Sequence, residues 1–393
     1  MRIGMGLVGP GFVGVHHIDA VRRLGFVDIV AVAASSEASA RQKATALGIP
    51  KAYGSYEALV ADPDVHVVHN TTPNYLHVPV IEAALACRKH VISDKPLATR
   101  SQDARALWER ARAAGVVHAV TFNYRGNPLV QQARTMIATG ELGPVHFVHG
   151  SYLQDWLLEP TDFSWRLEPE KGGDSSAVGD IGSHWCDLAQ HVIGRRIESV
   201  LADLTTVIPV RFKPEASPEA FRTGAREVPQ GASGSGRTEF AVKSEDLGSI
   251  LFRFEGGAKG CVSVGQVCAG HKNDLSFEVN GQRASLRWVQ ERQNELWIGH
   301  RDTANQILVK DPSLLAPAAR PYAALPGGHQ EAWADAFRNV LRDVYKAILE
   351  RNTSSDCPRP ALATFEDGYH AACVVDAIVE SHLAGGIWTH VRY

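Results

Sequence analysis

The sequence predicts an α/β fold in two parts, in which a doubly wound parallel sheet is followed by an α+β region with a large open, mostly antiparallel sheet. Three observations support this prediction. Residues 2 to about 120 alternate short β-branched runs with helical patterns, and long alternating runs dominate after Asn123. A chain of 393 residues also exceeds the length that one hydrophobic core usually supports. We therefore expect two domains, at residues 1–122 and 123–393.

Short apolar runs mark the strands of the first domain, and apolar residues at helical spacing lie between them. The predicted strands are residues 3–8, 28–33, 65–70, 90–93 and 116–121. The predicted helices include residues 39–47 and 79–86. Alternation of strands and helices with short connections is typical of a doubly wound parallel sheet.

The second domain begins with a helix predicted over residues 128–139, which ends at Gly140. Alternating runs then predict strands at residues 145–153, 197–206, 248–254, 260–267, 274–279 and 284–288. Residues 211–238 are rich in Gly, Pro, Ser and Arg, which predicts a surface excursion between two strands. Residues 330–351 have the apolar spacing of a long amphipathic helix.

Charge and composition exclude broad classes of partner. With 40 Lys and Arg against 43 Asp and Glu, the formal net charge of −3 indicates no nucleic acid or anionic membrane as a partner. The first residues lack a cleavage-site pattern, and no apolar run reaches spanning length, so we expect a cytoplasmic protein. The six cysteines form no CxxC pair, which predicts reduced thiols and no thiolate metal site.

A glycine-rich turn, Gly9-Pro10-Gly11-Phe12-Val13-Gly14, connects the first predicted strand to a helical pattern. In this context the G-x-G-x-x-G sequence predicts a dinucleotide site of the Rossmann type. Gly9 permits the tight turn, Gly11 lets the backbone approach the pyrophosphate, and Gly14 allows close packing of helix on strand. The helix N-terminus then faces the phosphates.

The sequence leaves the choice between NAD and NADP open. At the end of the second strand, where NAD-selective proteins usually place a carboxylate, the chain reads Ala33-Ala34-Ser35-Ser36-Glu37. Ser35, Ser36 and Arg41 are suited to a 2′-phosphate, whereas Glu37 is suited to the ribose hydroxyls. Ser36 equally suits the N-cap of the next helix. The dinucleotide is the only cofactor that the sequence implies.

Two further segments carry groups for proton transfer. Hydride transfer from a carbinol needs a group that takes the hydroxyl proton and a cation that stabilises the developing alkoxide. Lys95 follows a predicted strand end in Ser93-Asp94-Lys95-Pro96, and His184 follows Asp180 by four residues. That spacing places the acid and the imidazole on one helical face. We expect Lys95 and His184 to fill the two roles.

The order and spacing of these three segments resemble the glucose-fructose oxidoreductase / inositol dehydrogenase / rhizopine catabolism family, abbreviated Gfo/Idh/MocA. The resemblance extends over nearly the whole chain and implies an NAD(P)-dependent oxidoreductase that acts on a sugar or cyclic polyol. It also implies that His184 is the general base, that Asp180 orients it, and that Lys95 completes the site. Asp94 departs from the family pattern Glu-Lys-Pro. Open sheets commonly pack face to face between subunits in this family, which implies a homodimer or homotetramer.

The resemblance also implies cofactor contacts. Thr71-Thr72-Pro73-Asn74-Tyr75-Leu76-His77 is similar to a family segment that lies along the nicotinamide. These residues alone favour a Pro-Asn turn with a helix cap, but their position between the other two segments favours the cofactor contact. The predicted cofactor-binding residues are Gly9, Gly11, Phe12, Val13, Gly14, Ser35, Ser36, Arg41, Thr71, Thr72, Pro73, Asn74, His77, Asp94, Lys95 and Asn123.

Two tryptophan-containing runs, Gln154-Asp155-Trp156 and Trp165-Arg166, combine flat rings with hydrogen-bonding groups, as a carbohydrate site requires. They resemble sugar-oxidising branches of the family, and core burial is the competing explanation for the tryptophans. The predicted substrate-binding residues are Lys95, Tyr124, Arg125, Gln154, Trp156, Trp165, Arg166, Asp180 and His184. Arg166 suits either a hydroxyl or a phosphate, so phosphorylation of the substrate stays open.

Three alternatives remain. His184, Cys186, Asp187 and His191 are zinc-ligand types, but no HExxH or CxxC spacing accompanies them, so no metal is predicted. A reductase of keto or anhydro sugars would use the same site in the reverse direction. A non-catalytic dinucleotide-sensing protein is the third alternative, since a fold does not establish activity; an intact Lys95 and His184 count against it.

Overall fold

The computed structural model describes residues 2–215, 237–350 and 361–393. Six strands form the N-terminal sheet: β1 (Ile3–Val8), β2 (Val27–Ala33), β3 (Lys51–Tyr53), β4 (Val67–Asn70), β5 (His90–Ser93) and β6 (His118–Val120). The helices among them are α1 (Phe12–Leu24), α2 (Glu37–Leu47), α3 (Tyr56–Ala61), α4 (His77–Ala86) and α5 (Ser101–Ala114). The strand order is β3-β2-β1-β4-β5-β6, and every pair is parallel.

The predicted doubly wound parallel sheet is thereby confirmed. Its strand order reverses direction between β1 and β4, and sheets of this kind bind ligands at the carboxyl edge of that point. All of β1 is buried, because helices cover both faces of the sheet. Burial on both faces explains why the strands are continuous apolar runs without alternation.

The second half of the chain forms a larger sheet and its helices. The strands are β7 (Val145–Leu153), β8 (Ile197–Thr205), β9 (Val210–Pro214), β10 (Arg237–Ala241), β11 (Leu247–Phe254), β12 (Lys259–Gly265), β13 (Asp274–Gly281), β14 (Ala284–Val289), β15 (Glu295–His300), β16 (Gln306–Val309) and β17 (Thr389–His390). The helices are α6 (Pro128–Ala138), α7 (Pro169–Gly172), α8 (Ser183–Ile193), α9 (Trp333–Leu349) and α10 (Phe365–Leu383). A π-helical turn, Val178–Gly182, leads directly into α8.

Nine strands form one mixed sheet in the order β16-β15-β14-β13-β7-β12-β11-β8-β17. All its pairs are antiparallel except β7 with β12, which confirms a mostly antiparallel sheet. Side chains alternate along β11, where Ile250 and Phe252 are buried and Ser249, Leu251 and Arg253 are exposed. One face therefore packs against the helices and the other faces outward.

The last two long helices contact the N-terminal sheet. Phe337 and Leu341 of α9 pack with Met5 and Leu7 of β1. On the opposite face, the backbone N–H of Phe365 at the start of α10 donates to His118 Nδ1 of β6 at 3.1 Å. Because α10 also packs against β8, it contacts both sheets. The boundary at residue 122 stays a prediction.

Several elements match the sequence prediction. The helices predicted at 128–139 and 330–351 correspond to α6 and α9, and the six strands predicted in the second domain correspond to β7, β8, β11, β12, β13 and β14. The excursion predicted at 211–238 lies mostly outside the described residues, and its flanks pair as the two-stranded β9–β10 ribbon. Among the helices that the structure describes, none is long and apolar enough to cross a membrane.

Candidate active site

The glycine turn has the geometry that a dinucleotide requires. Gly9 has φ +88°, and a Cβ there would lie 2.8 Å from the Thr71 carbonyl oxygen. A Cβ at Gly14 would lie 2.6 Å from the Gly9 carbonyl oxygen, so α1 packs closely on the turn. Gly11 has nothing within 4 Å of its Cβ position. Glycine is therefore required at the first and third positions for packing, and at the second the backbone is open to a ligand.

The turn borders a cleft of about 600 Å³ along the carboxyl edge of the parallel sheet. The cleft extends from Ser35 and Lys43 at one end to Lys95 and Arg166 at the other. Of the predicted cofactor residues, those that line it are Gly9, Gly11, Phe12, Val13, Ser35, Thr71, Thr72, Pro73, Asn74, Asp94 and Lys95. The N-terminus of α1, the open Gly11 backbone and the length of the cleft fit an extended dinucleotide.

Five predicted cofactor residues do not line this cleft: Gly14, Ser36, Arg41, His77 and Asn123. The Ser36 hydroxyl accepts from the Ser39 backbone N–H at 3.2 Å and caps α2. This N-cap is the alternative to a phosphate contact that the sequence left open. Arg41 pairs with Glu37 on the exposed surface of the same helix. The side chains of Ser36 and Arg41 are therefore engaged within α2, next to the Ser35 end of the cleft.

Sequence reasoning missed other lining residues, among them Ser39, Lys43, Ser55, Tyr56 and Glu57. Tyr75 and Leu76, which belong to the segment quoted from the sequence but were not predicted as contacts, also line the cleft. Ser39 and Lys43 lie one helical turn apart on α2, so they share the face that borders the cleft. This spacing is visible in the sequence once α2 is placed beside β2. Ser55 to Glu57 could not be found from a local motif, because they border the cleft from the start of α3.

His77 connects the cofactor segment to the lysine segment. Its Nδ1 contacts the Pro96 carbonyl oxygen at 2.6 Å, and its Nε2 contacts the Thr72 carbonyl oxygen at 2.9 Å. Asn74, on the same segment, donates to the Gly172 carbonyl oxygen at 3.2 Å. His77 does not line the cleft, but its two contacts hold the segments that carry Thr72 and Lys95 next to each other.

The lysine and aspartate identified from the sequence meet at the inner end of the cleft. Lys95 Nζ donates to Asp180 Oδ1 at 2.7 Å and to the Asp180 carbonyl oxygen at 2.5 Å. The two side chains are 12% and 13% exposed, so the ion pair is largely shielded from water. Asp180 Oδ1 also lies 3.3 Å from Arg166 Nε, and Asp180 Oδ2 accepts from Gln266 Nε2 at 2.9 Å. One carboxylate thus orients two cations.

Burial and neighbouring charges together shift the pKa values of Asp180 and His184. Burial by itself raises the pKa of the Asp180 carboxyl, but Lys95 and Arg166 outweigh burial and hold the pKa well below its usual range. Burial, followed by repulsion from Lys95, lowers the pKa of His184 well below its usual value. At neutral pH the site therefore contains a carboxylate, two cations and a neutral imidazole, which is able to accept a proton.

Aromatic rings and a polar chain surround His184. The Tyr124 ring lies edge-on to the imidazole with centroids 5.1 Å apart, and Phe122 lies at 5.8 Å. The Tyr124 hydroxyl is 2.7 Å from the Tyr152 hydroxyl, which donates to Asn273 Oδ1 at 2.6 Å. Burial raises the pKa of Tyr124 to about 12, so this hydroxyl stays protonated.

The same chain reaches the predicted sugar-binding residues. Gln154 Nε2 donates to Asn273 Oδ1 at 3.1 Å, and Trp156 Nε1 donates to Gln154 Oε1 at 2.8 Å. Asn273 was not predicted, because its role depends on contacts with residues more than a hundred positions away. The Asn273 amide thus contacts both Tyr124 and Gln154, and Trp156 joins this chain through Gln154.

Arg166 lies between two aromatic rings beside the ion pair. Its guanidinium carbon is 4.6 Å from the Trp165 ring centroid and 5.9 Å from that of Trp156. Arg166 Nη1 and Asn123 Nδ2 are buried and have no hydrogen-bond partner within the described part of the chain. Arg166 and Trp165 also line the cleft. An unpaired buried donor on a residue that lines a cleft, as for Arg166, marks a position suited to a polar ligand.

Arg125 has a different environment from the one predicted for a substrate contact. Its Nε donates to Asp187 Oδ2 at 2.9 Å, its Nη2 donates to Asp187 Oδ1, and the same Nη2 donates to Asp367 Oδ1 at 2.9 Å. Arg125 and Asp187 are buried, and Arg125 does not line the cleft. This ion pair joins the segment after β6 to α8 and α10. We do not include Arg125 among the proposed substrate contacts.

The zinc-ligand types on α8 are similarly engaged. Asp187 is paired with Arg125, and His191 Nε2 lies 3.2 Å from Gln131 Nε2. Within residues 2–215, 237–350 and 361–393, no group of three His, Cys, Asp or Glu side chains is placed to hold a metal ion.

Comparison with known proteins adds a family to this geometry. A model described as the oxidoreductase family, NAD-binding Rossmann fold, matches residues 3–122, and one described as the GFO/IDH/MocA C-terminal domain matches residues 130–287. The chain belongs to the Gfo/Idh/MocA family. Membership confirms the resemblance inferred from the glycine turn, the Lys95 segment and the Asp180 segment. The chain is thus a member of an NAD-binding oxidoreductase family.

Individual Gfo/Idh/MocA members are similar along their whole length. Levoglucosan dehydrogenase of Pseudarthrobacter phenanthrenivorans is 31% identical, covering 97% of this chain and 96% of its own. A solved structure of levoglucosan dehydrogenase in complex with NADH and levoglucosan has a TM-score of 0.86 at 28% identity and covers 100% of both chains. An inositol dehydrogenase homolog from Azotobacter vinelandii complexed with NAD⁺ has a TM-score of 0.85 at 27% identity, covering 99% of this chain and 97% of its own.

Proposed function

We propose that the protein transfers a hydride between a ring carbinol of a sugar or cyclic polyol and a nicotinamide dinucleotide. The observation that supports this most directly is the Lys95–Asp180 ion pair at the inner end of the cleft, beside the neutral His184. When bound there, the nicotinamide supplies the hydride acceptor or donor. Relatives named as a levoglucosan dehydrogenase and an inositol dehydrogenase homolog support a cyclic polyol or sugar as the substrate class.

In the oxidising direction, His184 takes the proton of the reacting hydroxyl. Its imidazole is neutral at neutral pH, because burial and Lys95 disfavour the protonated form. Proton removal leaves a partial negative charge on the substrate oxygen, and Lys95 Nζ donates to that oxygen. In the reverse direction the same groups polarise a carbonyl and return the proton, so one site serves a dehydrogenase or a reductase.

Asp180 holds the cation in place for this role. Two of the three Nζ donors of Lys95 are directed to the Asp180 carbonyl and carboxylate, which leaves one donor for substrate. Gln266 and Arg166 fix the carboxylate in turn. The arrangement limits reorganisation of the lysine during the reaction, which favours the transition state.

The proposed sugar contacts are Trp156, Trp165, Arg166, Gln154 and Tyr124. Tryptophan rings cover the C–H face of a sugar ring, and Arg166 Nη1 is a donor for a ring hydroxyl. Arg166 already shares its Nε with Asp180, so only part of its charge is available to an anionic group. This division favours a neutral sugar over a sugar phosphate.

Two further properties concern the oligomeric state and the location of the protein. The outward face of the nine-stranded sheet carries exposed apolar side chains, among them Phe147, Leu251 and Ile307, which supports a homo-oligomer formed through this face. A cytoplasmic location stays the expectation from the sequence. Choice of NAD or NADP is decided at the Ser35 and Lys43 end of the cleft.

The proposed function is tested by following reduced-nicotinamide absorbance with purified protein, NAD⁺ or NADP⁺, and a panel of anhydro sugars, pyranoses, inositols and sugar phosphates. The expected result is turnover with a neutral cyclic polyol or sugar, and loss of turnover in His184→Ala. Silence across the panel from a protein that binds the dinucleotide would contradict the proposal and favour the sensing alternative.

A further inference from the structure

We propose that Glu245 is a positioning residue for the proton-transfer site, whose carboxylate fixes the start of the helix that carries Asp180 and His184. The inference rests on the proposed function, because it concerns the same site. Glu245 lies between β10 and β11 and is buried. It touches neither Lys95 nor the cleft, so its effect on chemistry passes through Asp180.

One carboxylate oxygen of Glu245 receives three hydrogen bonds from consecutive parts of one segment. Oε1 accepts from Ser175 Oγ at 2.7 Å, from the Ser176 backbone N–H at 3.0 Å and from the Val178 backbone N–H at 2.8 Å. The Glu245 carbonyl oxygen accepts from the Ala177 backbone N–H at 3.1 Å. All four residues of 175–178 thus donate to a single residue.

These donors form the beginning of the helical run that continues through Val178–Gly182 into α8. The first backbone N–H groups of a helix have no partner within it and need an external acceptor. Ala177 and Gly182, the residues that precede the π-helical turn and α8, make no side-chain capping bond, while the Ser175 hydroxyl accepts from the Gly179 N–H. A carboxylate at this end also interacts favourably with the helix dipole. Glu245 therefore supplies the cap from another part of the fold.

The capped turn sets the position of Asp180. The Gly179 N–H donates to Ser175 Oγ at 2.9 Å, and the Asp180 N–H donates to the Ser176 carbonyl oxygen at 2.8 Å. Ser175 and Ser176 are thus bonded to Glu245 on one side and to the Asp180 turn on the other. Release of residues 175–178 would free the backbone from which Asp180 holds Lys95.

The surroundings of the Glu245 carboxyl group differ from those of a buried ion pair, because hydrogen-bond donors face it. Burial raises the pKa of the Glu245 carboxyl, and its hydrogen bonds from Ser175, Val178 and Ser176 oppose that rise. Within the described ranges, no cation forms an ion pair with this carboxylate. A buried acid is costly unless its hydrogen bonds are satisfied. The Ser175 hydroxyl and the Ser176 and Val178 N–H groups provide these hydrogen bonds.

The neighbouring residue anchors Glu245 to the substrate side of the site. Asp246 accepts from the backbone N–H groups of Val207 and Ile208 and pairs with Arg211 at 3.3 Å. The fully buried Arg211 donates to the carbonyl oxygens of Glu159 and Asp162 at 3.0 and 3.1 Å. Residues 245 and 246 therefore connect the helix start at residues 175–178 to the segment between Trp156 and Trp165.

The first test replaces Glu245 by leucine, which has a similar size but cannot accept hydrogen bonds. We expect kcat of Glu245→Leu to fall by about 100-fold, the loss typical of a small displacement in a catalytic constellation, with cofactor Kd changed by less than about threefold. Glu245→Gln retains an amide oxygen for the same donors, so its kcat should recover to within about tenfold of the wild type. Asp343→Leu is the matched control, because Asp343 is another buried carboxylate and lies outside the cleft. It should lower Tm without lowering kcat of the folded fraction.

A double-mutant cycle separates positioning from general damage. If Glu245 acts through Asp180, its replacement should lower kcat by less than about threefold in an Asp180→Asn background, because coupled residues are not additive. Equal losses in both backgrounds, or wild-type kcat in Glu245→Leu, would overturn the inference. Ser175→Ala removes one donor to Glu245 and serves where Glu245→Leu does not fold; its kcat should fall with unchanged cofactor Kd, and an unchanged kcat would overturn the inference.

Two crystal structures with NADH, one of the Glu245→Gln variant and one of the Ser175→Ala variant, separate this inference from the proposed function. Displacement of residues 175–180 and a longer Lys95–Asp180 separation in Ser175→Ala, with both preserved in Glu245→Gln, would support positioning even if no sugar is turned over. An unchanged helix start in Ser175→Ala would refute positioning while leaving the proposed function standing.

Discussion

Lys95 Nζ lies 2.7 Å from Asp180 Oδ1 and 2.5 Å from the Asp180 carbonyl oxygen, so a lysine after β5 is fixed by one residue of the π-helical turn that leads into α8. This contact joins the part of the chain that forms the cofactor cleft to the part that surrounds the proposed sugar site. It also lowers the pKa of the Asp180 carboxyl against the effect of burial. The predictions below concern the cleft, the site and the stability of the fold that holds them.

A substitution at the Ser35 end of the cleft should change the preference of the protein between NAD⁺ and NADP⁺. Ser35 lines the cleft at the end of β2, where a carboxylate would bind ribose hydroxyls and repel a 2′-phosphate. Ser35→Asp should therefore raise the ratio of NAD⁺ to NADP⁺ affinity by at least about tenfold. Titration of intrinsic fluorescence with each dinucleotide measures this ratio.

Ser36→Asp is the control for this substitution. Ser36 caps α2 and does not line the cleft, and aspartate caps helices as well as serine does. The ratio should change by less than about threefold in this variant. An equal change in both variants would show that the negative charge acts at long range and that Ser35 does not contact the ribose.

Replacement of Arg166 should weaken binding of the sugar. Its Nη1 is buried without a partner in the described part of the chain, and its guanidinium lies over Trp165. Arg166→Met should raise the KM of the sugar by about 10-fold to 100-fold, which is the cost of losing a charged hydrogen bond. Steady-state kinetics with the best substrate measure the change. Arg196→Met, an exposed arginine stacked on Tyr393, is the control and should leave KM unchanged. An unaltered KM in Arg166→Met would remove Arg166 from the sugar site.

The free energy of unfolding should decrease in mild acid, because buried histidines have lowered pKa values. Burial lowers the pKa of His118 to about 4, against the attraction of Asp367, and burial likewise lowers the pKa of His17 to about 4. An unfolded histidine has a pKa of about 6.5. Because the unfolded chain binds protons that the folded chain excludes, the free energy of unfolding is unaffected above pH about 6.5 and decreases as the pH falls toward 4. Each of these histidines should cost about 2 kcal/mol at pH 5.

Urea unfolding at pH 7.5 and pH 5 measures this loss. His118 Nδ1 accepts from the Phe365 N–H, so its protonation breaks a contact between β6 and α10. His118→Gln should reduce the difference in free energy of unfolding between the two pH values by about 2 kcal/mol. The same pH dependence in wild type and variant would contradict a neutral buried His118.

Local patterns in the sequence account for the cofactor end of the molecule. The glycine turn was predictable because its three constraints arise within six residues and an adjacent strand. Helix α10 was not predicted, because it packs against both sheets and lacks one continuous polar face. The parallel pairing of β7 with β12 was also inaccessible, since alternation shows which face of a strand is buried and not which strand lies beside it.

The candidate site divides in the same way. Lys95, Asp180 and His184 were found from their chemical types and from the family resemblance. The structure pairs Lys95 with Asp180, and the charges of both act on His184. Their catalytic roles stay a prediction. Gln266, Asn273 and Glu245 carry no motif and contact the site only through distant pairings. For Arg125, the position in the chain predicted a substrate contact, and the sequence did not show that Asp187 would be its buried partner.

The most direct test of the account measures turnover and cofactor binding together in Lys95→Met. Removal of the cation should lower kcat by about 1,000-fold or more with the best sugar, because the charge on the substrate oxygen loses its donor, while cofactor Kd stays within about threefold. Lys51→Met removes another ion-paired lysine, outside the cleft, and should retain wild-type kcat. A Lys95→Met enzyme that turns over at the wild-type rate would contradict the assignment of this site.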